Sequence, residues 1–227
     1  MCHPMNKINY YFVRHGETAA NAEGIIQGWT DSPLNATGIN TSHQLGETLQ
    51  QIPFHLAYSS DLKRAKMTGE IILDYQKDPP QLLTMEGFRE FNYGGLENEL
   101  IENVWTESLT DKVKRLENEK VPSTSFVPII IEDLMRYDTV GESEDFTTFW
   151  ARIEEAVLSI HDEALEQRIE QMLPEINVLI VSHDFPIRFL FHELLPNFDL
   201  TQPLEPSHYA QLSYYHGAYH LEAWNQA

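Results

Sequence analysis

Two short runs limit the possible folds more than anything else in the chain. "INYYFVRH" (Ile8 to His15) and "INVLIVSH" (Ile176 to His183) are rich in β-branched and aromatic residues and lack the apolar–polar alternation of a half-exposed strand. A strand of that kind is covered on both faces, as in the interior of a parallel sheet. The segments between them supply the cover. "NATGINTSHQLGETLQQI" (Asn35 to Ile52) reads as a helix opened near Thr37, and "HLAYSS" (His55 to Ser60) as a short strand. A second helix follows, with Ser60 or Asp61 as its N-cap and Leu62, Ala65, Met67 and Ile71 at helical spacing. A long helix runs from "GESEDF" to about Met172, capped by Ser143. "FPIRFLFHELL" reads as helix, and "YAQLSYYHGAYHLEAWN" as a hairpin turned at His216-Gly217. Strands alternating with helices predict an α/β fold, a three-layer α/β/α sandwich with a mostly parallel central sheet. Residues 1–227 read as one domain, with an irregular, acidic, cap-like insertion at about 96–140 holding one or two helices and a long loop around Pro122 and Pro128.

In open α/β sheets, ligands bind beyond the carboxyl ends of the strands. The three strands end in Arg14-His15, in Ser59-Ser60 shortly before Arg64, and in Ser182-His183. Parallel neighbours would therefore bring two histidines and two arginines to one edge. Here composition matters. The formal net charge is -20 with only 15 Lys plus Arg, so nucleic acid and anionic membrane surfaces are excluded as partners and the positions of the few cations carry information. Guanidinium forks match the edges of a phosphate, helix N-termini add backbone donors, and a neutral imidazole is a competent nucleophile toward phosphorus. The combination suggests phosphoryl transfer through a phosphohistidine to or from a small-molecule phosphoester.

No stretch approaches the roughly 20 apolar residues of a membrane span. The start "MCHPMNKINY" does not look like a signal peptide, and the single cysteine, Cys2, cannot form an internal disulfide. A cytoplasmic protein is the expectation. His216 and His220 have His-x-x-x-His spacing, but Gly217 lies between them in a hairpin, so no metal is expected there.

"RHGET", "QGWTDSPLNATG", "YSSDLKRAKMT", "REFNYGGLEN" and "VSHDFPIR", in this order and with "GES" at 141–143, resemble the histidine phosphatase superfamily, which includes cofactor-dependent phosphoglycerate mutases and fructose-2,6-bisphosphatases. The resemblance implies that His15 attacks phosphorus, that Arg14 and Arg64 bind its oxygens, and that His183 is a second imidazole at the phosphoryl group. It also implies that Glu90 is the general acid and later the base, with no metal or other cofactor needed. Asn21, Gln27, Gly28, Tyr93 and Asp184 would help to hold the substrate, with Trp29 beside Tyr93 at the mouth of the cleft. Glu97 is the rival of Glu90, a pairing with Asp61 the alternative role of Arg64, and room for the anion the expected use of Gly16.

Two departures stand out. The family usually has glycine after the second histidine, and here it is Asp184; a carboxylate pointing inward would repel phosphate, whereas one turned outward would leave the backbone N–H available. Residues 96–150 carry thirteen Asp plus Glu against five Lys plus Arg. A mutase must also hold a second anionic group, so hydrolysis of a phosphomonoester is favoured unless Lys112, Lys114 and Arg115 face the cleft. Mutase-type transfer and non-catalytic binding of a phosphorylated ligand are the alternatives.

Overall fold

The computed structural model describes residues 7–104 and 107–227. In chain order the elements are β1 (Lys7–Arg14), α1 (Ala19–Ala22), α2 (Ala36–Leu49), β2 (Leu56–Ser59), α3 (Lys63–Leu73), β3 (Leu82–Thr84), α4 (Ile101–Val104), α5 (Leu109–Asn118), α6 (Phe126–Tyr137), α7 (Phe146–Glu170), β4 (Glu175–Ser182), α8 (Asp184–Leu194), β5 (Tyr209–Tyr215) and β6 (Ala218–Gln226). The sheet order is β3-β2-β4-β1-β5-β6. The first four strands are parallel, and the β5–β6 hairpin is antiparallel on the β1 side.

The continuous apolar runs have the predicted cause. Tyr10, Phe12, Val178 and Ile180 join the core beneath α6, α7 and α8, whereas Tyr11, Val13, Leu179 and Val181 pack with Leu45 and Leu49 of α2 and Ala65 and Ile72 of α3. Alternate side chains thus enter different layers, and neither face is left to water. The hairpin turns at His216-Gly217, both with positive φ, as a two-residue hairpin loop requires. The His220 ring stacks on Tyr215 at 4.0 Å.

Register does the work of bringing the site together. Arg14 pairs with Ser182 and Ser59 with Val181. One residue on, the N–H of His15 donates to Ser182 O at 3.0 Å and that of Ser60 to Val181 O at 2.8 Å. His15, Ser60 and His183 consequently leave the sheet at the same level.

Several local expectations are corrected. α2 is capped by Asn35, whose side chain accepts from the Gly38 N–H at 2.8 Å, and α7 by Asp145 rather than Ser143, through Thr148 N–H at 2.7 Å. Neither Ser60 nor Asp61 caps α3. Asp61 is taken by Arg89, and the helix start is satisfied from afar by Asp31, which accepts from Lys63 N–H at 2.7 Å. Pro128 sits in the first turn of α6, where its missing N–H costs nothing, so the expected long loop there is helix. β3 escaped notice because it has three residues and a mostly exposed pattern. Val113, Leu116, Phe126, Val127, Ile130, Ile131 and Leu134 of the 96–140 segment join the core on the α7 side.

Gly16 does not make room for an anion. A Cβ there would sit 2.6 Å from Gly38 O and 2.8 Å from Ser42 Oγ, so glycine serves the close approach of α2 to the strand end. Gly16→Ala is expected to lower unfolding free energy by about 1–3 kcal/mol, the usual cost of overpacking. Urea unfolding followed by circular dichroism checks this.

Candidate active site

The β1 end delivers His15 into a buried position, and its tautomer follows from one contact. His15 Nδ1 lies 2.7 Å from the carbonyl oxygen of Gly16. A carbonyl only accepts, so Nδ1 carries the proton and Nε2 carries the lone pair. That lone pair receives the N–H of Arg64 Nε at 3.3 Å. Burial, reinforced by the charges of Arg64 and Arg14, pushes the His15 pKa well below its ordinary value, so the ring stays neutral at pH 7. The ring of His183 stands edge-on to it, 5.0 Å between centroids. His183 is also fully buried and held neutral, chiefly by burial, and neither of its ring nitrogens has a hydrogen-bond partner among the described residues.

Arg64 is fixed by backbone oxygens. Its Nη2 donates to Gly28 O at 2.7 Å and Nη1 to Thr30 O at 3.0 Å, with Asp31 Oδ1 at 3.4 Å. Gly28 therefore orients Arg64 and is not on the cavity wall. It is also packed tightly, since a Cβ would lie 2.2 Å from Glu97 Oε1. Glu97 accepts from the backbone N–H of Trp29 at 2.7 Å and of Thr30 at 2.6 Å. It is committed to this loop, which removes it as a rival to Glu90. Asp61 pairs with Arg89, not Arg64.

Glu90 is buried on the cavity wall, and one carboxylate oxygen accepts from Phe91 N–H at 2.8 Å. Burial pushes its pKa up to about 7; the nearby Asp184 charge adds to this, while the Phe91 N–H, Arg64 and Arg14 oppose it. Its backbone is pinned by two residues the sequence reading missed or misplaced. Arg152 Nη2 and Trp29 Nε1 both donate to Glu90 O, at 2.8 and 3.0 Å. Arg152 is in turn gripped by Glu144, at 2.7 and 2.8 Å. Trp29 stacks against Arg89 and does not line the cavity. The "GES" block ended one residue short of Glu144, and an arginine inside a helix of so acidic a chain was the available signal for Arg152.

The cavity has a volume of about 430 Å³. Arg14, His15, Asn21, Gln27, Glu90, Tyr93 and Asp184 line it, together with Ile25, Ile26, Ile101, Ser108, Leu109, Phe185 and Arg188; Arg64, His183 and Gly28 do not. Asn21 Oδ1 accepts from Thr18 N–H at 3.2 Å, which leaves its amide NH2 as the free donor. Gln27 Nε2 donates to Thr18 Oγ1. Asp184 is neither turned outward nor unpaired. Its carboxylate takes Arg188 at 2.9 Å and lies 3.8 Å from Arg14.

The sequence profile of the histidine phosphatase superfamily (branch 1) matches residues 10–227. The chain belongs to the histidine phosphatase superfamily. Among curated superfamily relatives, uncharacterized phosphatase PhoE of Bacillus subtilis (strain 168) is 35% identical over 123 residues, 54% of this chain and 58% of that protein. Probable phosphoglycerate mutase GpmB of Salmonella choleraesuis (strain SC-B67) is 40% identical over 100 residues, 44% and 46% of the two chains. The matches thus span about half the length of these relatives. The crystal structure of phosphoglycerate mutase from Bacillus anthracis str. Sterne superposes with TM-score 0.82 at 28% identity, covering 98% of this chain and 95% of that one. Among the described residues no helix is long and apolar enough to cross a membrane.

Proposed function

We propose that this superfamily member hydrolyses small phosphomonoesters through a phosphohistidine on His15, without a metal, in the cytoplasm, as one domain capped by residues 96–140. The observation that carries the reading is the neutral His15 whose Nε2 lone pair faces Arg64 while Nδ1–H is tied to Gly16 O. In the first step Nε2 forms a bond to phosphorus as the ester P–O bond breaks, and the leaving oxygen takes the proton of Glu90. In the second, Glu90 removes a proton from water, which attacks phosphorus; the P–N bond breaks, inorganic phosphate leaves and the lone pair returns to Nε2. Arg14 and the Asn21 amide, on the cavity wall, supply charge and donors to the phosphoryl oxygens, while the charge of Arg64 lies against His15 Nε2 and His183 stands beside the same ring, where a metal would otherwise act.

Hydrolysis is favoured over mutase chemistry because the cap's cations are engaged elsewhere. Lys112 is buried against Asp133 at 2.8 Å and Arg115 pairs with Glu107 at 3.2 Å. Neither they nor Lys114 line the cavity, where the cap supplies Ile101, Ser108 and Leu109. The likeness to a phosphoglycerate mutase makes transfer the second reading. Assays of phenyl phosphate hydrolysis beside mutase turnover with 2,3-bisphosphoglycerate separate the two, and mutase turnover far exceeding hydrolysis would reverse the order.

Glu90 gives the reaction its pH dependence. The acid must be protonated to release the alcohol, and its pKa is about 7. The kcat/KM for an alkyl phosphate is therefore expected to fall as pH rises through about 7. Glu90→Gln should abolish that limb and cost roughly 10²–10⁴-fold with alkyl phosphates. The loss should be much smaller for 4-nitrophenyl phosphate, whose leaving group needs no proton. Equal losses for both substrates would remove Glu90 from the acid role.

A further inference from the structure

Two arginines line the cavity among the described residues, and they are not equally available. Arg188, on α8, donates through Nη1 to Asp184 Oδ2 at 2.9 Å, one helical turn earlier, and through Nη2 to Leu200 O. Asp184 Oδ1 accepts from Leu204 N–H at 3.3 Å. Arg14 is tethered to the same loop, donating to Leu204 O at 2.7 Å, but its nearest carboxylate oxygen is 3.8 Å away. Arg14 thus keeps its charge for a phosphoryl group. The guanidinium of Arg188 already holds a carboxylate. Around the pair the wall is apolar, formed by Ile25, Ile26, Ile101, Leu109 and Phe185.

We propose that Asp184 determines substrate choice: by engaging Arg188 it leaves cationic charge for one phosphoryl group and none for a second anionic group on the substrate body. The inference rests on the phosphomonoesterase reading and narrows it to esters of uncharged alcohols. A substrate carboxylate or second phosphate near Arg188 must displace Asp184 or lie against it as a like charge. In either case a desolvated anion goes unpaired, which discriminates against the wrong ligand more strongly than added contacts select the right one. A residue without a side-chain charge at 184 would leave Arg188 free to receive that second anion. The apolar walls would then face only the carbon skeleton between the two anions.

The test compares affinities for phenylphosphonate and 4-carboxyphenylphosphonate, two non-hydrolysable ligands differing by one carboxylate, by isothermal titration calorimetry. The wild type should bind phenylphosphonate more tightly. Asp184→Asn keeps the acceptor for Leu204 N–H but removes the charge, and should shift the affinity ratio toward the carboxylate ligand by roughly tenfold, the effect of one charge-assisted hydrogen bond. Asp184→Ser should shift it the same way, which guards against misfolding of one variant. In Asp184→Asn/Arg188→Gln the shift should vanish. Equal affinities in the wild type, an unmoved ratio in both single variants, or a shift that survives loss of Arg188 would each overturn the proposal. Phenyl phosphate turnover by the wild type, with His15→Ala as control, reports separately on the phosphomonoesterase reading.

Discussion

His15→Ala is expected to lower kcat/KM for every phosphomonoester by on the order of 10⁴–10⁶-fold, as losing a nucleophile that acts with its partners as a unit does in other enzymes. No neighbour can stand in. His183 is neutral as well, but it lies 5.0 Å away edge-on, leaving the sheet at the next strand. Its ring lacks the pairing of an N–H anchor on one nitrogen with a guanidinium facing the other, which is what aims His15 Nε2. The pH dependence of stability should change as well. The substitution removes a buried imidazole whose neutrality is enforced by desolvation and by two arginines. The acid sensitivity of folding should ease accordingly. A group with a depressed folded pKa binds its proton more readily when unfolded, so the wild type loses stability as pH falls below about 6.5, and His15→Ala loses less of it. Steady-state kinetics and urea unfolding at pH 5 and 7 check both halves.

The second large effect belongs to Arg64. Arg64→Lys keeps the charge, yet it should cost roughly 10²–10³-fold in kcat/KM, comparable to deleting a donor aimed at developing transition-state charge. The fork is what matters. Arg64 touches His15 Nε2 with Nε, Gly28 O with Nη2 and Thr30 O with Nη1. A single ammonium can hold only part of that set, and no lysine geometry places one donor at the nucleophile and others on a loop 34 and 36 residues away in sequence. The orphaned Gly28 carbonyl is buried and that of Thr30 partly so, and stability should also fall by about 1–3 kcal/mol. A variant with normal turnover would show that Arg64 only braces the 28–31 loop.

The parts of the fold written in local pattern were legible in the sequence. Unalternating runs identified β1 and β4 as two-sided strands, and the polar residues at their ends, His15 and His183, marked the edge where the site forms. The hairpin was visible in His216-Gly217 because that turn needs positive φ at both positions. Features depending on distant partners were not visible. The rule for helix starts chose Ser60 or Asp61, but the first donor of α3 is met by Asp31, 32 residues away in sequence. Gly28 seemed a binding glycine by its neighbourhood, yet its carbonyl holds Arg64 and its missing Cβ admits Glu97. Gly16 had the same fate. Arg152 and Glu144 are invisible to motif reading because their object, the backbone of Glu90, lies more than fifty residues upstream. Arg188 is the exception: its spacing of four from Asp184 on a helix was there to be read as an ion pair.

The most direct measurement is the trapping of the intermediate. The protein is mixed with a phosphorus-labelled aryl phosphate, quenched in alkaline denaturant, digested, and the modified residue located by mass spectrometry and by phosphorus–proton correlation. The expected result is an acid-labile phosphoryl group on Nε2 of His15, absent from His15→Ala and longer-lived in Glu90→Gln. A label on Nδ1, a label on another residue, or sustained turnover with no phosphoenzyme at any time would contradict the assignment of His15 Nε2 as the nucleophile.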